Sequence, residues 1–207
     1  MKFGKTIAVV LASSVLLAGC TTDKKEIKAY LKQVDKIKDD EEPIKTVGKK
    51  IAELDEKKKK LTEDVNSKDT AVRGKAVKDL IKNADDRLKE FEKEDAIKKS
   101  EQDFKKAKSH VDNIDNDVKR KEVKQLDDVL KEKYKLHSDY AKAYKKAVNS
   151  EKTLFKYLNQ NDATQQGVNE KSKAIEQNYK KLKEVSDKYT KVLNKVGKEK
   201  QDVDQFK

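Results

Sequence analysis

Apolar residues recur along most of this chain at alternating steps of three and four, a pattern that predicts helices. From Ile44 the series runs through Val47, Ile51 and Leu54, meets Lys58 out of pattern, and resumes at Leu61 and Val65. Toward the end Val168, Ile175, Leu182, Tyr189 and Val196 fall at intervals of seven, with Tyr179 and Leu193 between them. A mean step of about 3.5 keeps such side chains on one seam, the geometry by which long helices pack at a shallow angle.

Breakers divide the pattern into four predicted helices. The first spans residues 23–65 with Ile27, Tyr30, Leu31, Val34 and Ile37. A kink is expected at Pro43, whose missing N–H interrupts the ladder; a full break there would make five helices. Asn66-Ser67-Lys68-Asp69 reads as a turn supplying an N-cap to the second helix, residues 69–115. Its heptad phase slips between Phe91 and Ile97, where an irregularity is expected. The turn formers of Asn113 to Asp117 end it, and a third helix follows over residues 118–158, through Val123, Leu126, Leu130, His137, Tyr140, Tyr144, Val148 and Phe155. Residues 159–167 lack apolar periodicity and read as a loop before a fourth helix over 168–204. Helices of about 40 residues reach roughly 60 Å. Joined by short loops, they predict an all-α fold, an up-and-down four-helix bundle of long amphipathic, coiled-coil-like helices. A three-helix spectrin-like arrangement and a dimerising extended coiled coil are the alternatives.

The first twenty residues obey other rules. Lys2 and Lys5 form a positive start, and Ile7 to Leu17 an apolar run. Eleven helical residues reach about 16 Å, roughly half the hydrocarbon thickness of a bilayer. Leu17-Ala18-Gly19-Cys20 resembles the lipobox of bacterial prolipoproteins. Small Ala18 and Gly19 leave a signal peptidase room to approach, and the Cys20 thiol can be alkylated by a diacylglyceryl group to a thioether. The expectation is a signal peptide over residues 1–19, cleaved between Gly19 and Cys20. A lipidated anchor and linker over 20–22 and a helical domain over 23–207 follow, held on the extracellular face of the cell membrane. Cys20 is the one cysteine, so no intramolecular disulfide can form and packing must stabilise the fold.

Charge adds the next constraint. Of all residues 43% are charged, and the formal net charge is +12. Residues 20–116 carry 26 basic against 24 acidic side chains, whereas residues 117–207 carry 23 against 15 and also hold six of the seven tyrosines. A basic face attracts polyanions; for an exported protein these are anionic lipid headgroups and phosphate-bearing wall polymers, not nucleic acid. The candidate polyanion-binding residues are Lys119, Arg120, Lys121, Lys142, Lys145 and Lys146. Tyrosines can add stacking on sugar rings. The plainer alternative makes a run such as Lys57 to Lys60 a solvated helix face, and the tyrosines core residues with hydroxyls at the rim.

Catalytic chemistry has no foothold in the pattern. His110 and His137 stand apart from other candidate groups, and His137, on the seam one turn from Tyr140, reads as a packed histidine. Asp112, Asp115, Asn116 and Asp117 resemble the start of a calcium loop but lack its Gly at the sixth position and Glu at the twelfth. There is no phosphate loop, no Ser-His-Asp order and no zinc-spaced Cys or His set. The expectation is no enzyme, no cofactor and no metal.

The lipobox Leu17 to Cys20, the Lys-rich amphipathic helices and the basic segment Glu132-Lys133-Tyr134-Lys135-Leu136-His137 together resemble the YkyA family of Gram-positive lipoproteins. The resemblance spans essentially the whole mature chain. It implies a helical-bundle ectodomain, membrane lipidation and a suggested association with the cell wall, and it brings no catalytic motif. Two function classes follow. One is a lipid-anchored, non-catalytic surface protein whose basic face binds teichoic acid or peptidoglycan. The other is an interaction module that docks another exported protein.

Overall fold

The computed structural model describes the backbone of residues 7–93 and 95–207 and the side chains of residues 22–93 and 96–207. The cleavage and lipidation expected at Gly19 and Cys20 lie outside those side chains. The described chain is all-α, with six helices: α1 (Ile7–Asp40), α2 (Glu42–Asp64), α3 (Thr70–Phe91), α4 (Asp95–Val111), α5 (Asp117–Leu158) and α6 (Gln165–Asp204).

The four helical runs expected from the pattern are present, and two of them are interrupted. The first breaks at Glu41 instead of kinking at Pro43. Pro43 falls in the opening turn of α2, where the N–H it lacks would have had no intrahelical partner. The second run divides into α3 and α4 at the phase slip, with Glu92 N donating back to Leu88 O at 3.1 Å as α3 closes. The turn at residues 66–69 supplies its cap: Asp69 Oδ1 accepts from Ala71 N at 2.8 Å and Val72 N at 3.3 Å. Asn116 does the same for α5, accepting from Val118 N and Lys119 N at 3.1 Å each. The predicted loop over 159–167 is too long by three residues. Thr164 caps α6, its Oγ1 accepting from Gly167 N at 3.2 Å, so a helix begins before any apolar residue marks it.

The helices build two compact units, the first from four helical segments and the second from five. The first unit takes α1 to Asp40, α4 from Lys99, α5 to Tyr134 and α6 from Lys191. Its core is closed by Ile27 and Leu31 of α1, Phe104 of α4, Leu126 and Leu130 of α5 and Val203 of α6, all at most 5% exposed. The second unit takes α2, α3, the opening of α4, α5 from Lys135 and α6 to Thr190. Val47, Leu80, Ala84, Phe91, Val148, Phe155 and Val185 are buried there, and the Phe91 ring stacks on Tyr144 with centroids 4.4 Å apart. Each helix alone would leave its apolar stripe in water; burying the stripe is what holds each unit together.

Candidate functional site

The six basic residues singled out from the sequence fall in two different units. Lys119, Arg120 and Lys121 belong to the first unit; Lys142, Lys145 and Lys146 belong to the second. Lys119 is largely committed to structure, its Nζ 3.6 Å from the buried Asp23. Arg120 donates to Ile114 O at 3.1 Å and pairs with Asp117. Lys145 lies 3.6 Å from Glu92, while Lys142 and Lys146 are exposed.

In the first unit Arg120 and Lys121 instead join a groove of about 690 Å³. Lys108, Val111 and Asp112 line it from α4 and the turn after it; Asp117, Arg120, Lys121, Lys124, Asp127 and Lys131 line it from α5. The α5 residues recur at helical steps and so share one face. Two of the cations are neutralised in place: Arg120 by Asp117, and Lys131 by Asp127 at 2.7 Å and Asp128 at 2.9 Å. Lys108, Lys121 and Lys124 have no ionic partner among the described residues. Five cations against Asp112, Asp117 and Asp127 leave the groove a positive excess, which suits the oxygens of a phosphate. Lys108 and Lys124 were missed in the sequence because they are single lysines among many; the signal was the shared face of 117, 120, 121, 124 and 131.

The groove adjoins the contact between α1 and the turn that opens α5. Asp23 accepts from Asp115 N at 2.7 Å and from Asn116 N at 3.3 Å, tying α1 to the turn that opens α5. Three residues of chain span at most about 10 Å, so Cys20 is held within that reach of Asp23.

The second unit holds a different arrangement. Arg87 is fully buried. Its Nη2 contacts Glu151 Oε2, its Nη1 lies 3.1 Å from Asp55 Oδ1, and its Nε donates to Asn83 Oδ1 at 3.1 Å. Glu151 Oε1 accepts from Lys58 Nζ at 2.7 Å and from the Tyr179 hydroxyl at 2.6 Å. Asn83 donates onward to Leu54 O at 2.8 Å. One network thus links α2, α3, α5 and α6. Burial pushes the Glu151 carboxyl up, but the Arg87 charge and the bonds from Arg87, Lys58 and Tyr179 outweigh it and hold the group below its ordinary value. Burial likewise opposes the Arg87 charge, and Glu151 more than offsets it.

Beside the network lies a cleft of about 490 Å³, walled by Ile51, Tyr140, Tyr144, Tyr179 and Leu182, with Asp55, Lys58, Lys59, Lys183, Ser186 and Asp187 completing the lining. The Tyr144 hydroxyl is buried without a hydrogen-bond partner. Burial pushes its pKa up, so it stays protonated and able to donate.

The histidines divide. His137 is the packed residue expected, buried 5.6 Å from the Tyr189 ring and 6.5 Å from Tyr140. His110 does not stand apart: its Nδ1 is 2.7 Å from Glu26 Oε2, and that hydrogen bond holds Glu26 below its ordinary value. The residues that could have hinted at this, 26 and 110, are joined only by the packing of α1 on α4.

Comparison with known proteins places these features in a family. The sequence profile of YkyA, described as "Putative cell-wall binding lipoprotein", matches residues 25–206. "Uncharacterized lipoprotein YkyA" of Bacillus subtilis (strain 168) is 25% identical over 211 residues, covering 97% of this chain and 91% of the relative. A crystal structure of a conserved protein of unknown function from Staphylococcus aureus is 96% identical, with a TM-score of 0.84 over 89% of this chain and 95% of that one. Among the described residues, no helix is long and apolar enough to cross a membrane.

Proposed function

The chain belongs to the YkyA family of lipoproteins, and on that premise we propose that it is anchored by lipid at Cys20 and binds a phosphate-bearing wall polymer, without catalysis, in the groove of its first unit. One observation carries the reading: Lys108, Lys121 and Lys124 line a single groove with no acidic partner among the described residues. Other lysines on this highly charged chain stand singly on exposed helix faces, as Lys142 and Lys146 do, or pair within their own helix, as Lys183 does with Asp187 at 2.9 Å and Lys82 with Asp86 at 3.0 Å; these three instead share one groove. Exposed pairs of that kind add little stability and leave little field for a partner. Three unpaired cations on one face do the opposite.

The position of the groove supports the same reading. Asp23 ties it to the part of α1 that follows Cys20, within about 10 Å of the residue that would bear the lipid. A polymer that leaves the membrane or runs close to its outer surface meets this face first. Teichoic acid, with a phosphate in each repeat, presents the matching series of anions. Two or three acyl chains on Cys20 would keep the protein there durably, where one chain would not.

The interaction-module reading needs an apolar docking patch. Among the described residues the exposed large hydrophobics, Val72, Val118 and Leu193, stand on three different helices, α3, α5 and α6. Singly exposed hydrophobics need no partner to explain them.

Cosedimentation of residues 23–207 with purified walls, before and after removal of teichoic acid and across a salt series, tests the proposal. The expected result is saturable binding that disappears with the polymer and falls steeply with salt, since screening acts on exposed charges. No sedimentation at low salt would contradict it.

A further inference from the structure

The cleft of the second unit differs in kind from the groove of the first. Its charges are already satisfied. Lys58 is paired with Glu151 and Asp55, Lys59 with Glu56, Lys183 with Asp187, and Asp55 with Arg87. Nothing in the lining calls for an ion. What remains unmet is one neutral donor, the Tyr144 hydroxyl, which is buried beside the network with no acceptor. A buried hydroxyl left unmet is costly, and its ring is not free to swing to water because Phe91 stacks on it. The walls around it are aromatic and aliphatic: Tyr140, Tyr179, Ile51 and Leu182. The volume falls within the range of about 300–1,000 Å³ typical of small-ligand sites.

We propose that this cleft is a binding site for an uncharged, amide-bearing pyranose, a class of ring that wall glycans repeat. The C–H faces of such a ring pack on tyrosine walls, and its acetamido methyl suits Ile51 and Leu182. The amide carbonyl, the strongest neutral acceptor such a sugar carries, accepts a hydrogen bond from the Tyr144 hydroxyl. The site is separate from the phosphate groove and goes beyond that reading, so either can hold without the other.

The test titrates the full chain, in a detergent free of sugar, with chitotetraose, a neutral N-acetylated tetrasaccharide. Calorimetry gives the affinity, and tyrosine fluorescence is a second readout, since the chain has no Trp and three of its seven tyrosines, Tyr140, Tyr144 and Tyr179, line the cleft. Saturable binding is expected, about tenfold weaker in Tyr144→Phe, which keeps the ring and removes the donor. Tyr144→Phe should melt no lower than the parent, because the hydroxyl it loses had no partner. Ser186→Trp, which puts an indole into the cleft, should abolish binding. Lys121→Glu with Lys124→Glu should leave the chitotetraose affinity unchanged, which separates this site from the groove. Absence of saturable binding by the parent chain, or an affinity unmoved by both cleft variants, would overturn the proposal.

Discussion

Lys58 Nζ lies 2.7 Å from Glu151 Oε1, joining α2 to α5 at a level where both helices otherwise present apolar side chains. Arg87 approaches the same carboxylate from α3 and Tyr179 from α6. Buried ion pairs of this kind add little net stability against an apolar core, since desolvation offsets most of the attraction, but losing one partner strands the other. Glu151→Ala should therefore destabilise the chain by about 3–5 kcal/mol in urea unfolding. A double variant, Arg87→Met with Glu151→Met, should recover at least half of that loss. A double variant as unstable as the single one would mean that the network contributes more than charge compensation.

The network was half written in the sequence. Lys58 follows Ile51 and Leu54 and precedes Leu61, so the apolar steps pass directly through it. Arg87 occupies the same kind of place between Ala84 and Phe91, and Glu151 between Val148 and Phe155. Each charge alone reads as an interruption of a seam; only the packing of four helices shows that the interruptions meet. The phase slip after Phe91 and the turn at Asp69 were legible because their causes are local. The break at Glu41 was less so, because a proline in a helical pattern marks either a kink or a helix start, and the choice depends on what the two halves pack against. The groove lysines were hidden for another reason: 51 basic residues make any one uninformative, and ion pairing in three dimensions decides which stay uncompensated.

Acid should weaken the fold, and the sign follows from the carboxylates. Lys106 and Lys36 beside Asp103, at 2.7 and 2.6 Å, hold its carboxyl well below the usual range, and Glu151 and Glu26 are held below theirs. In the unfolded chain such groups titrate at about 4. Their contribution is thus fully present above that pH and is lost as pH falls through about 4 toward the lower folded values. The melting temperature should drop on going from pH 5 to pH 2.5, and the drop should be shallower in Asp103→Asn. An equal pH dependence in that variant would remove Asp103 from the explanation.

Gly167 leaves no room for a side chain. A Cβ there would collide with the Tyr157 hydroxyl, which also accepts from Thr164 N at 2.9 Å. Gly167→Ala must turn the Tyr157 ring aside and release the loop between α5 and α6, and because only the end of a movable side chain gives way, global stability should change by no more than about 0.5 kcal/mol. Hydrogen exchange should rise at residues 159–165 and stay unchanged in the first unit. Unaltered exchange in that loop would show that the Tyr157 contact does not hold it.

The Asp69 cap gives a smaller, local effect. Asp69→Ala removes the acceptor for Ala71 N and Val72 N and should cost about 1 kcal/mol. Asp69→Asn, which keeps an acceptor oxygen, should recover most of it. A loss of the same size in both variants would assign the effect to the carboxylate charge.

On the proposed function, wall binding resides in one groove and not in the basic character of the chain as a whole. Two triple variants of equal charge change decide it on teichoic-acid-bearing walls at low salt. One reverses Lys108, Lys121 and Lys124 to Glu; the other reverses Lys142, Lys145 and Lys146 of the second unit. Loss of binding in the first triple with binding retained in the second is the expected result. Equal loss in both, or undiminished binding by the first, would contradict it.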